Sequence, residues 1–328
     1  MASSTVDDVS TLDALQERFQ WLKQHERKYL CCDFTAQSNY KRMLSEDCEE
    51  RLKCILKNRN QSLDELFGYA DNFGIDNSVI STAAYIFDKY LSTVVSKYIE
   101  QECSFDINVT LISVASLLIA AKSLLGARDT KLIARHLWKY SSKVYENNFD
   151  GMVLKAVRWN IVYTSPISII QDVLAVLPRP CEFDYHHQAF SMFQTSLLQE
   201  ADRLTRLTAL QYDFRIKHTP VSIALATLSI ALENQPSTGI PIFALVTPIT
   251  YVSLMIEKSG IDLSFDDEKV VQCRNDMLCH FFEHKPSDTA EDTSSPKRNG
   301  TDSPTTVAEV HKRRRITKKR KSFVAMSA

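Results

Sequence analysis

The chain has 328 residues, and 44 % of them are hydrophobic, a fraction that allows a buried core of ordinary size. Its 7 glycines are few for an α/β enzyme, whose tight turns and phosphate-binding loops need residues that tolerate positive φ. The net charge of −1 conceals an acidic body: residues 312–321 hold 8 of the 39 basic side chains, which leaves 31 basic against 40 acidic side chains elsewhere. An acidic body argues against a fold that binds specific nucleic acid, since such folds carry a basic patch.

Signatures of catalysis and of cofactor binding are missing from the sequence. It contains no Gly-x-Gly-x-x-Gly and no Gly-Lys-Ser/Thr for nucleotides, and no His-Arg-Asp or Asp-Phe-Gly of a protein kinase. None of the eight cysteines forms a Cys-x-x-Cys pair, and the histidines are scattered, so no metal site is expected. No uninterrupted apolar run reaches the length of a membrane span, and the first residues do not look like a signal peptide. We therefore predict a protein that is not an enzyme, binds no cofactor and does not contact a membrane.

Apolar residues at helical spacing predict a series of helices in the first half of the chain. The segment Ser62-Leu63-Asp64-Glu65 fits a capping box that would start a new helix, although one continuous helix from the forties to Gly74 is the competing interpretation. The remaining expected helices are 12–30, 78–94 with Asn77 as its cap, 108–125, one from Asp129 to Tyr140, and 145–160.

The second half repeats the pattern of the first. Helices are expected at 167–178, 184–206, 220–233, 250–258 and 266–283. Residues 108–125 and 219–232 are apolar nearly all round, which is typical of a helix buried on most sides. We therefore predict an all-α fold with a helical N-terminal segment (1–49), two similar five-helix units (50–162 and 163–283), each around one buried helix, and a tail.

The tail, residues 284–328, is rich in small polar and charged residues and is predicted to be disordered. It contains a basic run that fits a nuclear localisation signal, because import receptors accept such runs in acidic grooves. The basic residues of this run are Lys312, Arg313, Arg314, Arg315, Lys318, Lys319, Arg320 and Lys321. They predict an import receptor as a partner and a nuclear location shared with the cytoplasm; a solvated tail that touches nucleic acid non-specifically is the alternative.

Three segments in the first half resemble the cyclin box. They are SVISTAAYIFDKYLST (78–93), ISVASLLIAAKSLL (112–125) and DGMVLKAVRWNIVYTSP (150–166), in the order and spacing of the family's "Tyr-Leu-Asp-Arg-Phe-Leu", "Leu-Ala-Ser-Lys" and "Leu-Lys-Trp" segments. In the second half, His218 to Ala224 is similar to the "Tyr-x-Pro-Ser-x-Ile-Ala" segment of the cyclin C-terminal domain. The resemblance covers about residues 50–280 and is nearest to D-type and algal cyclins.

The resemblance implies a set of residues that bind a cyclin-dependent kinase. In cyclins a lysine and a glutamate form an ion pair beside a mobile helix of the kinase; these positions fall on Lys122 and Asp150. Aspartate is one methylene shorter than glutamate, so a longer or water-bridged pair is expected. The apolar kinase contacts fall on Leu154, Trp159 and Ile161, and plain core packing is the alternative for Trp159.

The substrate-docking patch of cyclins is degenerate in this sequence. Its arginine falls on Arg59, while its apolar members fall on Asn58, Gln61 or Ser62, and Glu65. An apolar groove cannot be built from those side chains, so the binding of Arg-x-Leu peptides is expected to be lost or altered.

The resemblance therefore implies a regulatory subunit that activates a cyclin-dependent kinase in cell-cycle control. A transcription-linked cyclin with a polymerase-directed kinase is the alternative, and a DNA-binding general transcription factor of the same fold is a weaker one. Ser295 and Ser303, each followed by proline, fit the sites that such kinases phosphorylate, and phosphate there would add negative charge near the basic run.

Overall fold

The computed structural model describes residues 5–31, 46–101, 107–177, 187–235 and 240–282. Within these ranges the chain forms thirteen α-helices, as the spacing of its apolar residues predicts. No strand occurs in these ranges, so the predicted all-α class is confirmed. The predicted tail, with its basic run, Ser295 and Ser303, lies outside the described residues. The helices are α1 (Thr5–Tyr29), α2 (Glu46–Phe73), α3 (Asn77–Gln101), α4 (Val109–Leu124), α5 (Ala127–His136), α6 (Trp138–Glu146), α7 (Phe149–Ala156), α8 (Pro166–Ala175), α9 (His187–Leu210), α10 (Tyr212–Lys217), α11 (Pro220–Glu233), α12 (Pro248–Lys258) and α13 (Glu268–Phe281).

Helix α4 is the centre of the first group of helices. It packs against α2, α3, α5, α6 and α7. Its side chains are buried almost continuously from Val109 to Ala121, and its small residues Ala115 and Ala120 are fully inaccessible, which lets the neighbouring helices approach closely. The Asn108 side chain accepts a hydrogen bond from the Leu111 amide and caps the helix.

Helix α11 has the same role in the second group. Every residue from Pro220 to Leu232 is buried, and the helix contacts α8, α9, α12 and α13. Thr219 caps it through a hydrogen bond from the Ser222 amide, and Pro220 occupies the first turn, where its missing N–H has no cost. The predicted boundaries at 49/50 and 162/163 stay a prediction, since the described helices belong to a single compact unit.

Helix α1 packs against α11 of the second group. Its apolar residues Phe19 and Leu22 are buried, and polar side chains connect it to the end of α12 and the start of α13. Gln16 donates to the carbonyl of Ser259 (2.6 Å), and Glu26 pairs with Lys269 (2.9 Å). This anchoring determines which face of α1 remains accessible.

The competing interpretation of one continuous helix from the forties to Gly74 is confirmed, and the predicted cap at Asn77 was wrong. Helix α2 is continuous through the capping-box segment at 62–65, because the apolar stripe continues across it from Leu52 to Ala70. It ends before Gly74, whose φ of +65° is a left-handed conformation that glycine tolerates. Asn77 does not cap α3: the carboxylate of Asp76 accepts from the Ser78 amide (2.7 Å), while the side chain of Asn77 donates to Asp202 (2.7 Å).

Two other predicted helices are shorter than expected. The expected helix from Asp129 to Tyr140 is interrupted at Leu137, and Asp129 lies in the first turn of α5 instead of at its cap. The helix expected at 145–160 comprises only Phe149–Ala156. It cannot continue, because Arg158 and Trp159 adopt positive φ values of 53° and 58°. None of the described helices is long and apolar enough to cross a membrane.

Candidate functional site

Lys122 and Asp150 lie next to each other on the surface of the first group of helices. Lys122 is in the last turn of α4, where a cation is favoured by the helix dipole. Its Nζ lies 3.3 Å from Oδ2 of Asp150, so the contact is direct, although slightly longer than an ordinary hydrogen bond. The Lys122 ammonium also lies 5.1 Å from the centre of the Tyr145 ring. The lysine side chain is 47 % exposed, which leaves it accessible to a partner.

The start of α7 positions Asp150. Asn148 adopts a left-handed conformation (φ 51°) immediately before the helix, and Asp150 follows in the first turn, where a carboxylate is favoured. Its second oxygen accepts from the Gly151 amide (2.9 Å). The side chain of Asn148 occupies the space next to Gly151, and its oxygen lies 2.5 Å from the position that a Cβ at residue 151 would take. A larger residue at 151 would therefore clash with Asn148.

The three apolar residues assigned to the same surface differ in burial. Leu154 and Ile161 are half-buried and pack against the core. Trp159 is 68 % exposed, so the core-packing alternative for this residue was wrong. Its amide donates to the carbonyl of Leu154 (2.8 Å), which closes the end of α7 in a tight turn. A large exposed aromatic side chain in a left-handed conformation is unusual and marks a position for a functional role.

A groove that the sequence analysis missed lies between α1 and the segment after Trp159. It has a volume of about 370 Å³, and Trp21, His25, Tyr29 and Val162 line much of it. The Trp21 and His25 rings are stacked with their centres 4.4 Å apart, and Val162 is 63 % exposed. Burial raises the pKa of Tyr29 to about 12, so this phenol is neutral at physiological pH. The groove extends the apolar surface beyond Trp159.

Arg59 does not belong to an exposed docking patch. Its side chain is fully buried, and its guanidinium binds both carboxylate oxygens of Asp88 at 2.8 Å. It also donates to the carbonyl groups of Ala209 and Leu210 at the C-terminal end of α9. The assignment of this arginine to a peptide-binding surface is therefore corrected: it connects α2, α3 and α9.

A second buried arginine, Arg215, belongs to the same cluster. Its Nε lies 3.8 Å from Asp88, and its guanidinium donates to the hydroxyl of Tyr163. One carboxylate thus faces two buried guanidinium groups, and the negative end of the α9 dipole provides further compensation. Burial, together with the nearby Asp88 carboxylate, raises the pKa of the Cys31 thiol to about 12, so Cys31 is unreactive at neutral pH.

A cavity of about 660 Å³ is lined by both polar and apolar side chains, and the apolar ones include Val94, Phe149 and Met152. Its walls include Asn58, Gln61, Ser62 and Glu65, the positions at which the resemblance placed the apolar members of the docking patch. The positions that the resemblance assigns to a docking groove therefore do line a cavity, but they offer amide, hydroxyl and carboxylate groups.

Comparison with known families places the site in a recognised domain. Residues 27–161 match the family described as the cyclin N-terminal domain. The match includes the segments 78–93 and 112–125 and the part of the third segment up to residue 161, and with them Lys122, Asp150, Leu154, Trp159 and Ile161. No curated protein matches the chain at a significant level.

Proposed function

We propose, since the chain belongs to the cyclin family, that it binds and activates a cyclin-dependent serine/threonine kinase in the control of cell division. The domain at residues 27–161 indicates a regulatory role in general terms, and a regulatory subunit performs no chemistry of its own. The observation that carries the finer proposal is the partly accessible pair of Lys122 and Asp150 at the start of α7, together with the exposed Trp159 just after the end of that helix.

The surface around this pair has the composition of a protein interface. An exposed tryptophan and aliphatic side chains form an apolar centre, and charged groups lie at its edge. Lys122 and Asp150 are both partly accessible, so each can add a hydrogen bond to a partner without first breaking the pair. The groove that contains Trp21 and Val162 would enlarge the interface towards the area that stable complexes bury.

Activation would proceed by selection of one kinase conformation. A mobile kinase helix that packs against Trp159 and Leu154 would be held inward, where the catalytic lysine and glutamate of the kinase pair with each other. The chain shifts this equilibrium only as far as it binds the active conformation better than the inactive one.

Capture of kinases from an extract of the source organism tests the proposal. The wild-type chain is expected to retain a cyclin-dependent kinase, and Lys122→Glu to retain at least about tenfold less, because the new carboxylate repels Asp150 and reverses the charge that the partner meets. Lys258→Glu is the matched control, since it reverses an exposed charge at the end of α12 and is expected to bind as the wild type does. A wild-type chain that retains no kinase would contradict the proposal.

A charge exchange separates an interface role from a purely structural one. The double variant Lys122→Glu/Asp150→Lys restores opposite charges within the chain but reverses them towards a partner. We expect its unfolding midpoint to lie above that of Lys122→Glu but below the wild-type value, because both exchanged charges oppose the helix dipoles, while its kinase affinity remains low. Recovery of wild-type affinity by the double variant would indicate that the pair acts only within the chain.

The cavity beside Asn58 and Glu65 is expected to reject apolar docking peptides. A peptide that contains Arg-x-Leu would cover amide and carboxylate groups as well as apolar side chains of the cavity, and the polar groups would lose their water without gaining hydrogen bonds. We expect a dissociation constant weaker than about 1 mM by fluorescence anisotropy, the range of very weak binding. Micromolar binding of such a peptide would contradict this expectation.

The identity of the captured kinase also separates the alternatives. A kinase of the division cycle supports the proposal, and a polymerase-directed kinase supports the transcription-linked alternative.

A nuclear location is part of the proposal and is supported by the basic residues of 312–321. Replacement of Lys318 and Lys319 by alanine is expected to move a fluorescent fusion from the nucleus to the cytoplasm.

A further inference from the structure

A small, mostly apolar pocket lies beside Lys122, whose side chain forms part of its lining, between the end of α4, α5 and α6. It has a volume of about 380 Å³. Leu125, Ala127, Ala134 and the ring of Tyr145 form its walls, and Lys131 stands at its rim. Its size and lining suit one bulky aliphatic side chain.

The surface around this pocket is basic, although the rest of the body is acidic. Arg128, Lys131, Arg135, Lys139 and Lys143 are all exposed, and within the described ranges none of the five forms an ion pair. The only acidic residues between 127 and 146 are Asp129 and Glu146. The local excess of positive charge therefore remains available to a partner.

Helical spacing places three of these cations in a row beside the pocket, and Lys131 is the one of the three that lines it. Lys131 follows Arg128 by three positions and precedes Arg135 by four, so the three lie along one side of α5. Ala127 and Ala134, which line the pocket, are four positions before and three after Lys131 on the same helix. Nearby, Leu132 is 50 % and Trp138 70 % exposed, which adds apolar surface beside the charges.

We propose that this surface binds a short acidic peptide segment of a partner protein, with one aliphatic side chain in the pocket. Carboxylates of the segment would pair with Arg128, Lys131 and Arg135. The proposal goes beyond activation of a kinase: the pocket shares Lys122 with the proposed kinase surface, but the cations that would bind the acidic segment do not belong to that surface. A peptide fits better than a nucleic acid for two reasons. Nucleic acid has no aliphatic side chain for the pocket, and a long polyanion would meet the acidic body, whereas a short segment senses charges only within about 8 Å at physiological salt.

The test uses three labelled probes and fluorescence anisotropy. The first is a peptide of glutamate and aspartate residues around a single leucine, the second has alanine in place of the leucine, and the third is a short DNA duplex. We expect the leucine peptide to bind at least about tenfold more tightly than the alanine peptide, a difference typical of one filled apolar pocket. We also expect its affinity to fall as salt is raised.

Two variants separate the charges from the pocket. The triple variant Arg128→Glu/Lys131→Glu/Arg135→Glu is expected to weaken binding of the leucine peptide at least about tenfold, since three exposed attractions become repulsions. Ala127→Phe fills the pocket from an exposed position and leaves the charges unchanged; it is expected to remove the preference for leucine over alanine. Equal binding of both peptides by the wild type, wild-type affinity in the triple variant, or tighter binding of the duplex would each overturn the proposal.

Discussion

Replacement of Asp88 by alanine is expected to lower the free energy of unfolding by about 3–5 kcal/mol, the usual cost of removing one partner from a buried ion pair. The carboxylate is fully buried and accepts two hydrogen bonds from Arg59. Arg215 lies close to the same carboxylate. Without Asp88, both guanidinium groups would remain buried without a counter-ion. Urea denaturation followed by circular dichroism measures the effect.

Glu200→Ala is the matched control for this prediction. It removes an ion pair with Arg203 in which the side chains are 25 % and 51 % exposed. Water competes for both partners there, and the expected loss is below about 1 kcal/mol. If Asp88→Ala were no more destabilising than Glu200→Ala, the buried cluster would not stabilise the contact between α2, α3 and α9.

Replacement of Trp159 by glycine is expected to weaken kinase binding at least about 30-fold, as loss of an interface hot spot of about 2 kcal/mol would. The free energy of unfolding is not expected to fall. Trp159 is 68 % exposed, so no cavity results, and glycine tolerates the φ of 58° that strains a tryptophan. Isothermal titration with the captured kinase measures the loss of affinity, and thermal denaturation measures the stability of the fold.

Trp159→Ala completes this test. Alanine removes the ring but keeps the Cβ that makes a left-handed conformation costly, so we expect the glycine variant to be more stable than the alanine variant by about 1 kcal/mol. Both variants should lose kinase affinity to the same extent. Wild-type affinity in both would show that the exposed ring does not contact the kinase.

The predicted helices depended on apolar periodicity, and this signal predicted the buried central helices well because their burial is a property of each segment alone. The boundaries that failed depend on information that periodicity does not contain. Nothing in the pair Arg158-Trp159 signals a left-handed backbone, since glycine and asparagine are the usual residues there. The capping-box pattern at 62–65 was outweighed by the apolar stripe of α2.

The candidate site was predictable in part. The contact between Lys122 and Asp150 follows from their places at the end of α4 and the start of α7, and the family resemblance pointed to both. Arg59 was placed on the surface because its burial depends on Asp88 and on carbonyl groups of α9 about 150 positions away. Trp21 was missed because it lies outside the apolar stripe of α1, and because the other wall of its groove, at Val162, comes from a distant part of the chain.

The central claim is tested most directly by the activity of the captured kinase, purified without its regulatory subunit. Phosphate transfer to a proline-directed peptide is measured alone, with the wild-type chain, and with Lys122→Glu. The account predicts strong activation by the wild-type chain and little by the variant at equal concentration, with Lys258→Glu as active as the wild type. Unchanged kinase activity in the presence of the wild-type chain would contradict it.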